Sequence, residues 1–334
     1  MNILLLLTGG TICSFANESG ERFSDTKKAS SLIVENFRNS TSEYRDTNFT
    51  VKRVLNVLSE NMTVNNWNTF IKKFRRYDLS SYDGVIILHG TDTLAFTASL
   101  LSMLLVGTRI PVMLVSSAKP IYMENANGNE NFKASVELIA KGISPNIYAV
   151  YQNTDGVTYV HLASRLLQCQ NGSCDFFSQG MTPIEKASFS KDLQIRTMPI
   201  YSIEKLITSV LYITPYTGID YSSYSLRGVK AVLHGTYHSQ TAPSFRDSNR
   251  HSLLYLKKKC DRYNIPLFLC PCDNEAYDYE TTGDLLRHGI IGISGMTNET
   301  AYAKILIGSS MGLSGYALVD YIKMEINSEF TKNT

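Results

Sequence analysis

Short apolar runs alternate along the chain with segments of helical period, the pattern expected when strands and helices take turns in an α/β protein. Residues 3–7 are five consecutive aliphatics, which suits a parallel strand covered on both faces. Residues 51–58 alternate and predict a second strand. Over 64–77, Trp67, Phe70, Ile71 and Phe74 recur at helical spacing, so an amphipathic helix is expected with Lys72, Lys73, Arg75 and Arg76 on its solvated face. A strand over 84–88, a mostly apolar helix over 93–106, a strand over 111–115, a helix over 131–141 and a strand over 147–151 continue the alternation. These predict a larger N-terminal domain over 1–185, an open and mostly parallel sheet with flanking helices. Residues 175–196 are more polar and irregular, and a linker is expected over 186–200. Strands over 210–213, 229–234, 266–270 and 289–294, with helices over 247–263 and 298–308, predict a smaller αβ domain over 201–330.

Two domains also follow from the length, since 334 residues exceed what one hydrophobic core usually serves. The composition is globular, with 43% hydrophobic and 19% charged residues, which excludes a disordered or collagen-like chain. Thirty-two Lys and Arg against 30 Asp and Glu leave a net charge of +2, too balanced to predict a nucleic-acid or anionic-membrane surface. No stretch approaches the roughly 20 apolar residues that span a bilayer, and the first apolar run is too short for a signal peptide. A soluble, cytoplasmic protein is expected. The six cysteines (Cys13, Cys169, Cys174, Cys260, Cys270, Cys272) are expected to be reduced thiols. A turn at Asn171-Gly172 could still bring Cys169 and Cys174 close. Their spacing does not match zinc or redox motifs, so neither a metal nor a cofactor is expected.

Ligands of open α/β sheets bind at the carboxyl ends of the strands, and two loops there carry polar residues. Thr8-Gly9-Gly10-Thr11-Ile12 follows the first strand, with glycines that allow close backbone approach and hydroxyls beside them. No Lys-Ser/Thr follows, which argues against a phosphate-binding loop. His89-Gly90-Thr91-Asp92-Thr93 follows the 84–88 strand and opens a helix, where Thr91 or Asp92 could serve simply as an N-cap. A second strand runs into His234-Gly235-Thr236, an echo of the first that suggests similar strand-to-loop turns.

Together, TGGTI and HGTDT, about 80 residues apart, resemble the two signature segments of the bacterial-type L-asparaginases. Leu58-Ser59-Glu60-Asn61-Met62-Thr63, Ser116-Ser117-Ala118-Lys119-Pro120, Asn127-Gly128-Asn129-Glu130-Asn131, Ile265-Pro266-Leu267 and Gly295-Met296-Thr297-Asn298-Glu299 resemble further landmarks of that family. The likeness covers nearly the whole chain and is greatest to the cytoplasmic type I members. It implies the two-domain asparaginase-like fold and a cofactor-free, metal-free hydrolysis of L-asparagine to L-aspartate and ammonia. Thr11 would be the nucleophile, Thr91 the second threonine working with Asp92, and Asp92 would also hold the substrate's α-ammonium. Ser59 and Glu60 would hold its α-carboxylate and ammonium end, with Gly10 and Gly90 in the backbone wall that stabilises the oxyanion. A homodimer or homotetramer, in which the neighbouring subunit completes the site, is implied in the same way. Residues near 236–241 or 273–282 would then contribute to the site, while Glu275 and Glu280 read as surface carboxylates.

The chain departs from that pattern at the groups that activate the nucleophile. The family's tyrosine in the loop after TGGTI is absent, and Phe23 is the candidate for its place; a phenyl ring cannot relay a proton. The family's lysine should fall within 164–174, where this chain has Arg165 and no lysine. Lys119 is the candidate substitute base. Glu60 and Asn127 are milder departures. The chain would therefore be an asparaginase with altered activation or specificity, or a non-catalytic protein of that fold binding a small amino acid. A third reading is the amidotransferase subunit that frees ammonia from glutamine for transamidation of charged tRNA. Its missing N-terminal extension and near-neutral charge argue against it.

Overall fold

The computed structural model describes residues 1–187, 203–245, 249–273 and 279–331. The chain forms two compact units, Met1–Met198 and Pro199–Thr334. Residues 188–200 of the expected linker lie outside the described residues, as does Glu275.

The first unit runs β1 (Asn2–Gly9), the hairpin β2 (Ser14–Ala16) and β3 (Arg22–Ser24), α1 (Thr26–Ser40), β4 (Asn48–Val57), α2 (Val64–Phe74), β5 (Gly84–Leu88), α3 (Leu94–Leu104), β6 (Val112–Val115), α4 (Asn127–Ala140), β7 (Ile147–Gln152) and β8 (Thr158–Leu162), followed by three two-residue strands β9 (Leu166–Leu167), β10 (Phe177–Ser178) and β11 (Thr182–Pro183). Seven strands make one sheet in the order β11-β8-β7-β6-β5-β1-β4. The five from β4 to β7 are parallel, and β8 and β11 close the far edge antiparallel. Residues 3–7 are wholly buried, because successive side chains of β1 enter opposite cores. Ile3, Leu5 and Leu7 pack with Phe37 and Phe132 of α1 and α4, and Leu4 and Leu6 with Phe70 and Phe74 of α2.

Strand and helix boundaries differ from expectation where polar residues carry the element. β4 starts at Asn48 rather than 51, and α4 at Asn127 rather than 131, so Asn127-Gly128-Asn129 forms the helix's first turn. Helix α1 was not expected, since its apolar stripe is thin; Asp25 caps it by accepting from the Lys27 and Lys28 amides, and Ala29, Ile33 and Phe37 face the core. The buried strands over 84–88 and 147–151 appear nearly as expected.

The second unit holds β12 (Val210–Ile213), β13 (Ala231–Gly235), α5 (Leu253–Asp261), β14 (Leu267–Cys270), α6 (Glu280–Arg287), β15 (Ile291–Gly292), α7 (Asn298–Ser310) and α8 (Gly315–Lys323). Its four strands are parallel in sequential order. The expected helix over 247–263 is shorter, and its residues 247–248 lie outside the described ones. A fully buried Lys304–Glu329 pair, 2.5 Å apart, fastens the segment after α8 to α7, with Glu329 also accepting the Ile326 and Asn327 amides. Among the described residues no helix is long and apolar enough to cross a membrane.

Candidate active site

In the order β4-β1-β5-β6-β7 the chain leaves β1 toward one edge and returns to build the other side, so the sheet's switch point lies between β1 and β5. That is where an open α/β sheet leaves a crevice at its carboxyl edge. β1 and β5 pair with Leu7 opposite Leu88, and the loops that follow them are the TGGT and HGTD segments.

The three loops after β1, β4 and β5 lock together through two glycines. Gly10, at φ 81°, lies so close to the second loop that a Cβ on it would fall 2.2 Å from Gly90 Cα. A Cβ on Gly90 would in turn meet Ser59 Oγ at 2.4 Å. Only residues without side chains allow this approach. Ser59, 2% exposed, begins the short 3-10 turn after β4. Its hydroxyl donates to Asp92 Oδ2 at 2.7 Å, and its carbonyl accepts from Thr93 Oγ1 at 3.0 Å. Thr8 Oγ1 adds a tie from β1 to the Leu88 carbonyl at 2.8 Å. Thr11, partly exposed, follows Gly10 at the head of a 3-10 turn that leads into the β2–β3 hairpin.

Neither Thr91 nor Asp92 caps α3. The N-cap is Thr93, whose hydroxyl is turned to Ser59, and the Ala95 amide is taken by Gln168 Oε1 at 3.2 Å. The Gln168 Nε2 donates to the Thr91 carbonyl at 2.8 Å. Thus the segment expected to hold a lysine reaches Thr91 through an amide, which cannot accept a proton. Sequence reading located this interval but missed Gln168, because only the fold brings residue 168 to residue 91.

A cavity of about 350 Å³ opens beside these groups, lined by Thr91, Asp92, Ala118, Tyr151, Phe176 and the 168–174 loop with Cys169 and Cys174. The Asn171-Gly172 turn is present, and all six cysteines are free thiols. Thr11 and Lys119 do not line the cavity, although Ala118 does. Lys119 and Glu60 are exposed. Asn127 braces the loop after β6, accepting the Ala118 amide at 2.9 Å and donating to the Gln152 carbonyl at 2.8 Å. Phe23 pairs opposite Phe15 in the hairpin, is 45% exposed, and lines a different cavity with Arg53 and Lys73.

His89 is buried, with Nδ1 2.8 Å from the Gly90 carbonyl, and burial lowers its pKa to about 4. It is a neutral structural imidazole. The echo in the second unit has the same form: His234 Nδ1 lies 2.6 Å from the Gly235 carbonyl. Burial also pushes the Cys13 thiol, two residues beyond Thr11, up to about 12, so it is inert. Among the described residues, no group of three or more His, Cys, Asp or Glu is placed to hold a metal ion.

The family model for the asparaginase N-terminal region matches residues 2–201. An L-asparaginase of Dirofilaria immitis is 28% identical over 260 residues, covering 74% of this chain and 42% of that protein. The match therefore spans less than half the length of that relative. A glutamyl-tRNA(Gln) amidotransferase subunit of Methanosphaera stadtmanae is 24% identical over 354 residues, covering 98% of this chain and 76% of that one. In three dimensions the thermostable L-asparaginase from Thermococcus kodakarensis superposes over the full length of both chains with a TM-score of 0.76 at 22% identity, which establishes the shared two-domain α/β fold.

Proposed function

We propose an amidohydrolase activity from one premise: this chain belongs to the asparaginase family. The substrate is the side-chain amide of L-asparagine. Thr11 Oγ adds to the amide carbon and its proton ends on the leaving nitrogen; the C–N bond breaks and ammonia departs. Water then cleaves the acyl ester, releasing L-aspartate and restoring the threonine. Asp92, oriented by Ser59, holds the α-ammonium, with Ser59 and Glu60 at the α-carboxylate and ammonium end. Thr91 stands as the second threonine, and backbone N–H groups around Gly10 and Gly90 stabilise the oxyanion. The observation that carries this reading is the seating of Gly10 on Gly90 and Ser59 at the switch point of the sheet, with Ser59 bonded to Asp92.

Turnover is expected to be slow. Gln168 offers Thr91 no proton acceptor, and loss of a general base costs roughly 10²–10⁴ in rate. Lys119, next to Ala118 of the cavity wall, is the candidate substitute. The test is ammonia release from L-asparagine, L-glutamine and D-asparagine, with Thr11→Ala as control. Activity that survives Thr11→Ala undiminished overturns the assignment.

Gln168 also favours a second reading, a non-catalytic protein that binds a small amino acid in this cavity. Gln168→Lys separates the two. An amidohydrolase short of a base gains turnover, by at least about tenfold; a binding protein gains none. Following the family resemblance, we read the protein as cytoplasmic and as a homodimer or homotetramer that binds neither nucleic acid nor membrane. Light scattering on the purified protein tests the assembly.

A further inference from the structure

We infer that Cys169 and Cys174 form a redox dithiol in the wall of this cavity, closing to an intramolecular disulfide when a small-molecule disulfide such as oxidised glutathione reaches it. Both thiols are free, and both line the cavity beside Thr91 and Asp92. A tight turn separates them: the Ser173 amide donates to the Gln170 carbonyl at 3.0 Å, with Gly172 at φ 81°. Beyond the turn the two arms pair antiparallel, with Phe177 opposite Leu167. Continued inward, that register would set Cys169 against Asp175. The second arm, however, carries one residue more than the first, and Asp175 takes up the surplus by turning out to Thr154. Its carboxylate accepts the Thr154 amide at 2.7 Å and the Thr154 hydroxyl at 2.8 Å. Asp175 does not line the cavity, whereas the two cysteines flanking the turn do. In a regular hairpin, residues that flank the turn face each other at a Cα separation of about 4.5–5.5 Å, within the span of a disulfide.

Cys174 is exposed and Cys169 half-buried. Burial raises the Cys169 pKa; the Gln168 amide opposes this, and Asp92 and Cys174 add to it. The exposed Cys174 is therefore the thiol that meets the oxidant, reacting as its thiolate. Its sulfur attacks one sulfur of the oxidant, the oxidant's S–S bond breaks, and one thiolate leaves. Cys169 then gives its proton to that thiolate and attacks Cys174 Sγ, expelling the second half of the oxidant. Two protein thiols are oxidised and one small disulfide is reduced to two thiols. Gln168 carries the change to the site. Its Nε2 donates to the Thr91 carbonyl at 2.8 Å and to Cys169 Sγ at 3.4 Å, and its Oε1 accepts the Ala95 amide at 3.2 Å. A disulfide draws Cys169 Sγ across the turn, away from that amide, and moves the wall that faces Asp92. The effect on a ligand rests on the amino acid site proposed above; the disulfide itself does not.

The test treats the reduced protein with oxidised glutathione, then alkylates, digests and weighs it, with calorimetric Kd values for L-aspartate measured in parallel. Two fewer titratable thiols than the six present are expected. The tryptic peptide 166–186, whose only cysteines are these two, is expected unalkylated and two hydrogens lighter. The Kd for L-aspartate is expected to rise roughly 3- to 10-fold, the factor for one displaced hydrogen bond. Dithiothreitol restores the thiols and the affinity together. Cys174→Ser makes the Kd insensitive to the oxidant, and Cys169→Ala leaves glutathione attached to Cys174, because no second thiol displaces it. An unchanged thiol count, a glutathione adduct that persists on Cys174 of the unsubstituted protein, or a linkage that leaves the Kd unmoved each overturn the inference and leave the proposed function standing. If the reduced protein binds no L-aspartate and releases no ammonia, the substrate reading fails, and the mass of peptide 166–186 alone decides the dithiol.

Discussion

Ser59 and Asp92 hold each other in a closed pair: the Ser59 hydroxyl donates to Asp92 Oδ2 at 2.7 Å, and the Asp92 amide donates back to that hydroxyl at 3.2 Å. The two residues are 33 apart in the chain and sit on loops after different strands. The contact aims one carboxylate oxygen and keeps a buried serine satisfied. Two consequences follow for the site, one for orientation and one for spacing.

Ser59→Ala removes the bond that orients Asp92. A hydrogen bond to a charged group contributes about 1.5–3 kcal/mol. The expected result is a fall in kcat/KM of at least about tenfold with little change in the unfolding midpoint. Steady-state kinetics beside a thermal melt check it; unchanged kinetics would mean that Asp92 does not touch the substrate.

Gly10→Ala puts a methyl 2.2 Å from Gly90 Cα, against backbone, at φ 81°. Strain and overpacking together predict a loss of at least about 2 kcal/mol. Gly20, in the hairpin turn, has nearly the same φ of 83° but nothing within 4 Å of an added Cβ. Gly20→Ala therefore carries only the backbone penalty, about 1–2 kcal/mol. Denaturant unfolding of both variants separates crowding from conformation, and equal losses would refute the close approach of the two loops.

Three buried histidines set a limit on acid stability. Burial lowers the pKa of His89, His161 and His234 from 6.5 to about 4. His234 Nε2 is positioned to accept from the Tyr221 hydroxyl at 2.9 Å, so protonating it would force that bond to reverse, with the hydroxyl accepting. Between these values the unfolded chain binds protons that the folded protein refuses. Stability is thus fully present above pH 6.5 and declines as pH falls toward 4, by on the order of 3 kcal/mol for each ring. A plot of unfolding midpoint against pH should drop through that window, and His161→Gln should flatten it. A midpoint that holds steady from pH 7 to 4 would contradict the neutral assignment.

Local pattern made much of this protein legible. The aliphatics of residues 3–7 read as a strand buried on both sides, as they are, and apolar runs at 84–88 and 147–151 repeat that signal. Glycine and hydroxyl residues after two such strands are legible as tight turns, and only the pair of them together carries the likeness to one family. The thin stripe of α1 escaped, because Ala29, Ile33 and Phe37 among polar neighbours give little periodicity until a sheet lies beneath them.

The sequence by itself determined the α/β alternation, the two glycine–threonine loops and their likeness to one family. Only the tertiary structure decided what those loops touch. Periodicity records which face of an element is apolar, a property of neighbours a few residues apart. The contacts of Gly10 with Gly90, Ser59 with Asp92 and Gln168 with Thr91 depend instead on the strand order, which sets β1 between β4 and β5 and returns the 168–174 loop to the head of α3.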